Sequence, residues 1–163
     1  MNNTNKNIFF IMGVSGCGKT TIGTLLSKKL GFPFYDGDDF HPEVNVRKMA
    51  AGNPLDDDDR QGWLIRLNEL AINHPKGGII ACSSLKESYR ELLSKTIEKK
   101  VVWIHLQGTF EEISARMKQR TGHYMPSSLL KSQFNTLETP NNAITISITK
   151  TPEEMVDEIL HQL

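Results

Sequence analysis

Two clusters of residues in the first quarter of the chain could do chemistry. The first is Gly13-Val14-Ser15-Gly16-Cys17-Gly18-Lys19-Thr20, which has the G-x-x-x-x-G-K-[ST] spacing. Its glycines let the backbone curl so that N–H groups converge on phosphate oxygens, and a helix starting there adds the positive end of its dipole. Lys19 then reaches the β- and γ-phosphates of a nucleoside triphosphate such as ATP, and the Thr20 hydroxyl holds Mg²⁺. The candidate nucleotide contacts run through Gly13, Val14, Ser15, Gly16, Cys17, Gly18, Lys19, Thr20 and Thr21. A thiolate at Cys17 would be stabilised by the helix end, but the plainer reading is a small side chain that the loop tolerates. The second cluster is Tyr35-Asp36-Gly37-Asp38-Asp39-Phe40-His41-Pro42. On an extended chain Asp36 and Asp38 point to the same side. If the second strand lies near the first, both carboxylates face the phosphate loop. One could orient water on Mg²⁺ and the other accept a proton from an attacking hydroxyl. In isolation these aspartates and the glycine read as a solvated turn; a phosphate loop upstream at this spacing favours the catalytic reading.

The elements that must position these residues follow from hydrophobic periodicity. Apolar runs at Ile8–Met12, Phe34–Tyr35, Ile79–Cys82, Val101–Leu106 and Ile144–Ile148 read as strands. Helical spacing joins Ile22, Leu25, Leu26 and Leu30, then Trp63, Leu64, Leu67, Leu70 and Ala71. It recurs at Tyr89, Leu92, Leu93 and Thr96, and at Met155, Val156, Ile159, Leu160 and Leu163. Ser84-x-x-Glu87, Thr109-x-x-Glu112 and Thr151-x-x-Glu154 fit the capping-box pattern, the last with Pro152 at the first helical position. Strand, short turn, capped helix, strand predicts an α/β fold with a five-stranded parallel sheet and helices on both faces. Ligands of such sheets sit beyond the carboxyl ends of the strands. Trp63, Trp103 and Phe134 are most simply core residues.

Composition narrows the function classes. The chain has 163 residues, 38% apolar and 23% charged, with 19 basic and 19 acidic side chains. That length suits one domain over residues 1–163, and zero formal charge argues against nucleic acid as a partner. No apolar run approaches the roughly 20 residues that span a bilayer. The polar start lacks a signal-peptide layout, and Cys17 and Cys82 have no metal-ligand spacing, which together point to a cytoplasmic protein with free thiols. The length leaves little room for switch regions, and no N/T-K-x-D guanine-reading motif is present.

Along nearly the whole chain, the sequence resembles the gluconokinase family, small kinases similar in fold to shikimate and nucleoside monophosphate kinases. The resemblance rests on the phosphate loop, the 35–42 cluster, Asn45, Lys48-Met49, Gly52 and Pro54-Leu55-Asp56-Asp57-Asp58-Asp59-Arg60. It continues through Trp63-Leu64, Cys82-Ser83-Ser84-Leu85-Lys86, Tyr89-Arg90, Arg116, Arg120, Gly122-His123-Tyr124-Met125-Pro126 and Gln133-Phe134-Asn135-Thr136-Leu137-Glu138. It implies a three-layer P-loop kinase fold with a small lid over about residues 120–135, and Mg²⁺-assisted transfer of phosphate from ATP to the 6-hydroxyl of D-gluconate. It also implies kinases that often pair as homodimers, although no interface signature stands in the sequence. The chain departs from the family in having Gly62 for a usual Pro, Asp56 for Asn, Ser84 for Ala and Asn135 for Glu.

A pocket for a small polyhydroxy anion needs cations and hydrogen-bonding groups. The candidates are Asp36, Asp38, His41, Lys48, Arg60, Lys86 and Arg90. Lys86 and Arg90, four apart, would share one helix face. Four successive aspartates, Asp56 to Asp59, exceed what helix capping requires, and a nearby carboxylate is expected to fix Arg60. Arg116 and Arg120, four apart near the lid, would neutralise the transferring phosphoryl group. The catalytic set is then Lys19, Asp38 and Arg120, with Thr20 and Asp36 toward the metal; the roles of Asp36 and Asp38 are interchangeable at this level. A shikimate kinase should carry a glycine-rich segment where this chain has Cys82-Ser83-Ser84-Leu85-Lys86, and no base-reading pocket of a nucleotide kinase is visible. A non-catalytic ATP-binding module would be expected to lose the acceptor-side residues that this chain keeps.

Overall fold

The computed structural model describes residues 7–119 and 127–163. Arg120 and the Gly122-His123-Tyr124-Met125-Pro126 block lie outside the described residues. Five parallel strands form one sheet: β1 (Ile8–Met12), β2 (Phe34–Asp36), β3 (Gly78–Ala81), β4 (Val101–Gln107) and β5 (Ile144–Ser147), in the order β2-β3-β1-β4-β5. All five residues of β1 are buried, as a central strand covered on both faces requires. Phe10 and Trp103 are register partners on β1 and β4, and their rings stack at 4.8 Å. Trp103 is thus a core residue, as expected.

The helices are α1 (Lys19–Leu30), α2 (Glu43–Ala50), α3 (Asp57–Ile72), α4 (Glu87–Ser94), α5 (Phe110–Gln119), α6 (Ser127–Thr136) and α7 (Pro152–His161). They cover both faces of the sheet, α1 packing beside α7 and α3 beside α4. Among the described residues no helix is long and apolar enough to cross a membrane.

Two of the three expected capping boxes form, at Thr109/Glu112 and Thr151/Glu154. The one at Ser84 does not. Ser84 turns left-handed (φ 50°) and its hydroxyl donates to Cys82 O at 3.0 Å, so Lys86 becomes the N-cap of α4. The Glu87 N–H is satisfied from a distance, by Glu138 Oε1 at 2.9 Å. Thr96, expected on the α4 face, lies past the end of that helix with φ 70°. A box that the spacing did not reveal opens α3: Asp59 N–H donates to Asp56 Oδ1 at 2.8 Å and Asp56 N–H to Asp59 Oδ2 at 2.9 Å. Two of the four aspartates are consumed there.

The alternation argument for Asp36 and Asp38 also fails. The chain stops being extended at Asp36, whose Oδ1 accepts the Asp38 N–H at 3.0 Å and caps a 3₁₀ turn over Gly37–Phe40. β3 lies between β2 and β1, so strand adjacency does not bring the carboxylates to the loop. The turn does, and it sits tight against the sheet end. A Cβ on Gly37 would lie 2.3 Å from Ala81 O, while Gly37 O accepts the Trp63 indole N–H at 2.7 Å. Gly37→Ala should therefore destabilise the fold by roughly 1–3 kcal/mol. Gly62→Ala, on an exposed stretch of α3 with nothing within 4 Å, should stabilise it by about 0.5–1 kcal/mol. Urea unfolding midpoints of the two variants check both signs.

Candidate functional site

The phosphate loop leaves β1 between the ends of its two neighbours. Gly13 N–H donates to Ser83 O at 3.2 Å, and a Cβ on Gly13 (φ 143°) would come within 2.8 Å of Leu106 O and 2.7 Å of Cys17 Sγ. Cys17 is fully buried beneath the loop, which fits its reading as a small packing residue. Gly18 caps α1 in a left-handed conformation. Lys19 Nζ donates to Gly13 O at 2.9 Å and Val14 O at 3.1 Å. Ser15 N–H donates to Gln133 Oε1 at 2.7 Å.

Thr20 Oγ1 donates to Asp36 Oδ2 at 3.2 Å at the mouth of the loop. Two hard oxygens side by side, next to a phosphate cradle, suit Mg²⁺, which is commonly held by one or two protein oxygens together with substrate phosphates. Among the described residues there is no cluster of three or more His, Cys, Asp or Glu that could hold a metal ion by itself.

Cavities flank the loop on both sides. One, of about 380 Å³, is lined by Gly16, Gly18, Thr21, Arg116, Pro152 and Met155, among others. Arg116 stands beside Gly18 and donates to Ile148 O. Pro152 carried only a helix-start signal and Met155 only helix periodicity, neither of which pointed to a cavity. The other cavity, of about 440 Å³, brings Ser15, Lys19, Asp38, His41, Arg60, Trp63 and Gln133 together. Trp63 is a wall of this cavity as well as a core residue.

Asp38 lines the second cavity, its side chain 80% exposed. Crowding by the surrounding protein raises its carboxyl above the usual range, against the opposing pull of Lys19; Asp36 and Asp39 add to the rise. Exposure to the cleft limits the effect. His41 stacks on Trp63 at 4.0 Å, and its Nδ1 meets Asn45 Nδ2 at 3.3 Å. Burial, then the Arg60 charge, push its pKa down to about 4. Buried Asn45 also donates to Asp59 O at 2.8 Å, tying α2 to the start of α3.

Arg60 is fixed by a carboxylate, but indirectly. Its guanidinium donates to the Tyr89 hydroxyl at 3.1 Å, and that hydroxyl donates to Asp57. Lys86 Nζ donates to the same carboxylate at 3.1 Å. The Tyr89 hydrogen bond, then that of Lys86, hold the Asp57 carboxyl below its ordinary range. Arg60, Lys86, Asp57 and Tyr89 line a third cavity of about 440 Å³ that shares Leu55, Arg60 and Thr136 with the second.

Lys86 and Arg90 do not share a helix face. Lys86 precedes the helix, whereas Arg90 is 3% exposed and donates to Ser84 O at 2.7 Å, Glu138 O at 3.0 Å and Glu87 Oε2 at 3.1 Å. Arg90 holds the loop after β3 against the segment after α6. Lys48 is engaged with the α3 cap, 2.6 Å from Asp59 Oδ2. Gln133, Tyr89 and Asn45 carried no local signal of their roles, because each acts across a long sequence separation.

The low pKa of His41 has a consequence for stability. Between about 6.5 and about 4 the unfolded chain binds a proton that the folded chain refuses, so stability falls as pH falls through that window. Wild type should lose up to roughly 3 kcal/mol relative to His41→Gln across it, with the difference flat above pH 7. Buried His105, also shifted down, titrates in both proteins and cancels. Urea midpoints at pH 7.5, 5.5 and 4.5 measure the difference.

Related proteins place the chain in a family. A family model described as shikimate kinase matches residues 15–163. The thermosensitive gluconokinase of Escherichia coli K12 is 50% identical, over 81% of this chain and 72% of that protein. The thermoresistant gluconokinase of the same organism is 41% identical, over 85% and 80%. The crystal structure of a gluconokinase from Sinorhizobium meliloti 1021 superposes with a TM-score of 0.90 at 38% identity, covering 96% of this chain and 91% of that one. A shikimate kinase from Aquifex aeolicus, at 20% identity and a TM-score of 0.63, shares the fold. With a phosphate loop on one side and an acid-and-arginine pocket on the other, the chain belongs to the gluconokinase family of small kinases related to the shikimate kinases.

Proposed function

We propose that this protein transfers the γ-phosphoryl group of ATP to the 6-hydroxyl of D-gluconate. The observation that carries the reading is one cavity that Lys19, Asp38, His41 and Arg60 all line. A phosphate-side cation and an acceptor-side carboxylate open onto the same space, as in-line transfer requires.

In this reading the loop N–H groups and Lys19 take the phosphates, and the base side of the nucleotide enters the cavity bounded by Thr21, Arg116 and Met155. Asp38 accepts the proton of the attacking hydroxyl, helped by a carboxyl raised toward working pH. Arg60 takes the acceptor's carboxylate or hydroxyls, oriented by Tyr89 and Asp57, and neutral His41 offers a hydrogen bond to a hydroxyl. Thr20 and Asp36 hold Mg²⁺, which supplies charge neutralisation at the phosphates. Lys86 borders the pocket beyond Arg60. Lys48 and Arg90 act from behind it, through the α3 cap and the loop after β3. Arg120 and the lid over about residues 120–135 complete the reading through family resemblance.

Coupled ADP-release assays on D-gluconate, shikimate, AMP and CMP test it. Turnover should be confined to D-gluconate; turnover on another acceptor would overturn the substrate, and ATP binding without turnover would favour a non-catalytic module. The shikimate arm answers the family model matched above, whose glycine-rich segment this chain replaces with Cys82-Ser83-Ser84-Leu85-Lys86. Asp38→Asn should lower kcat by about 10²–10⁴ with KM for gluconate little changed. Arg60→Met should chiefly raise that KM, by roughly 10- to 100-fold for lost charge-assisted hydrogen bonds.

A further inference from the structure

One backbone donor of the phosphate loop is already satisfied by a distant side chain of the protein itself. Ser15 N–H donates to Gln133 Oε1 at 2.7 Å, and Gln133 Nε2 donates back to Ser15 Oγ at 3.1 Å, across 118 residues of sequence. The first distance lies at the short end for an amide hydrogen bond. An amide oxygen, with its partial negative charge, thus occupies a donor of a loop built for anions. Lys19, the loop's cation, is likewise folded onto the carbonyls of Gly13 and Val14.

The position of this contact says which phosphate it concerns. Ser15 lines the acceptor-side cavity with Lys19 and Asp38. Gly16, Gly18 and Thr21 line the cavity on the other side of the loop. The Ser15 N–H therefore sits at the end where the transferable, terminal phosphate meets the acceptor.

Gln133 belongs to α6, whose Leu129, Ser132 and Thr136 wall the acceptor cavity. Just past the helix the chain is pinned elsewhere: Glu138 N–H donates to Leu85 O at 2.7 Å, and Arg90 donates to Glu138 O at 3.0 Å. The Gln133–Ser15 pair joins the middle of α6 to the loop, while its carboxyl end keeps its own anchor.

Resting on the reading of this loop as a nucleotide phosphate site, we propose that Gln133 is a surrogate for the terminal phosphate. Its amide oxygen takes the place of a γ-phosphate oxygen at Ser15 N–H, and a bound triphosphate displaces it. A diphosphate, lacking that group, leaves the contact in place. Gln133 is then a positioning residue that lets the wall of the acceptor cavity respond to whether a transferable phosphoryl group is present. No covalent step is involved, only the exchange of one hydrogen-bond acceptor for another.

Titration calorimetry with Mg²⁺ and either a non-hydrolysable ATP analogue (AMP-PNP) or ADP tests the proposal, on wild type, Gln133→Ala and Gln133→Glu. Removing the competing oxygen should raise the AMP-PNP to ADP affinity ratio in Gln133→Ala by about 3- to 10-fold, the range set by one hydrogen bond. Gln133→Glu keeps an acceptor at the loop and adds a charge that repels phosphate, so the ratio should fall below that of wild type. ADP serves as an internal control for loss of fold, since a merely structural defect lowers both affinities together. An unchanged ratio in both variants, or a fall in Gln133→Ala, overturns the proposal while leaving the loop as a nucleotide site. Failure of wild type to bind either nucleotide overturns the loop reading and the proposal with it.

Discussion

The site depends on how closely the chain passes over the carboxyl ends of β3, β1 and β4. β1 is the central strand, and the loop leaving it is clamped by Ser83 O at the end of β3 and Leu106 O near the end of β4. The turn after β2 is held just as tightly, with Gly37 against Ala81 O and the Trp63 indole. A parallel sheet delivers all of its strand ends to one edge, and that is why its ligands gather there. At two of these crossings no side chain fits, so glycine is a steric requirement of the site.

A second centre of organisation is the start of α3. Asp56 and Asp59 close the helix cap, Lys48 and Asn45 bind Asp59 from α2, and Asp57 holds Tyr89 and Lys86. The cap contributes about 0.5–2 kcal/mol. The ion pairs still reach solvent, with side chains 25–62% exposed, and contribute modestly to stability. Their effect is geometric: they fix the amino end of α3, and with it the direction in which Arg60 enters the cavity. The run of four aspartates is thereby accounted for at three positions, two in the cap and one in the support of Arg60.

The acceptor-side cavity sets a carboxylate and a histidine to opposite uses. The Asp38 carboxyl is raised above its ordinary range, whereas His41, stacked on Trp63, is kept neutral. A neutral imidazole can accept or donate a hydrogen bond to a hydroxyl without adding charge beside the phosphates.

How much of this was legible depended on the range of the interaction. The five strands, most of the helix faces and the phosphate loop were readable because periodicity and the loop motif are local properties of the backbone. The capping boxes at Thr109 and Thr151 were readable for the same reason. Ser84 has the same spacing and fails, because a left-handed turn held by Arg90 redirects its hydroxyl to Cys82 O. Residue type drew attention to Asp36 and Asp38, but a 3₁₀ turn, not strand alternation, sets where they point. Arg60, Lys86 and Arg90 look alike in sequence. Only packing made Arg60 a cavity residue, Lys86 the partner of Asp57 and Arg90 a buried brace. The pairing of Gln133 with Ser15 spans 118 residues, and no local pattern encodes it. The sequence by itself determined the elements, the phosphate loop and the residue types available to the site, since these rest on short-range backbone preferences and apolar burial. Tertiary structure decided which polar side chains face the cavity and which are spent on protein partners, since a donor's assignment depends on acceptors that distant parts of the chain bring within 3 Å.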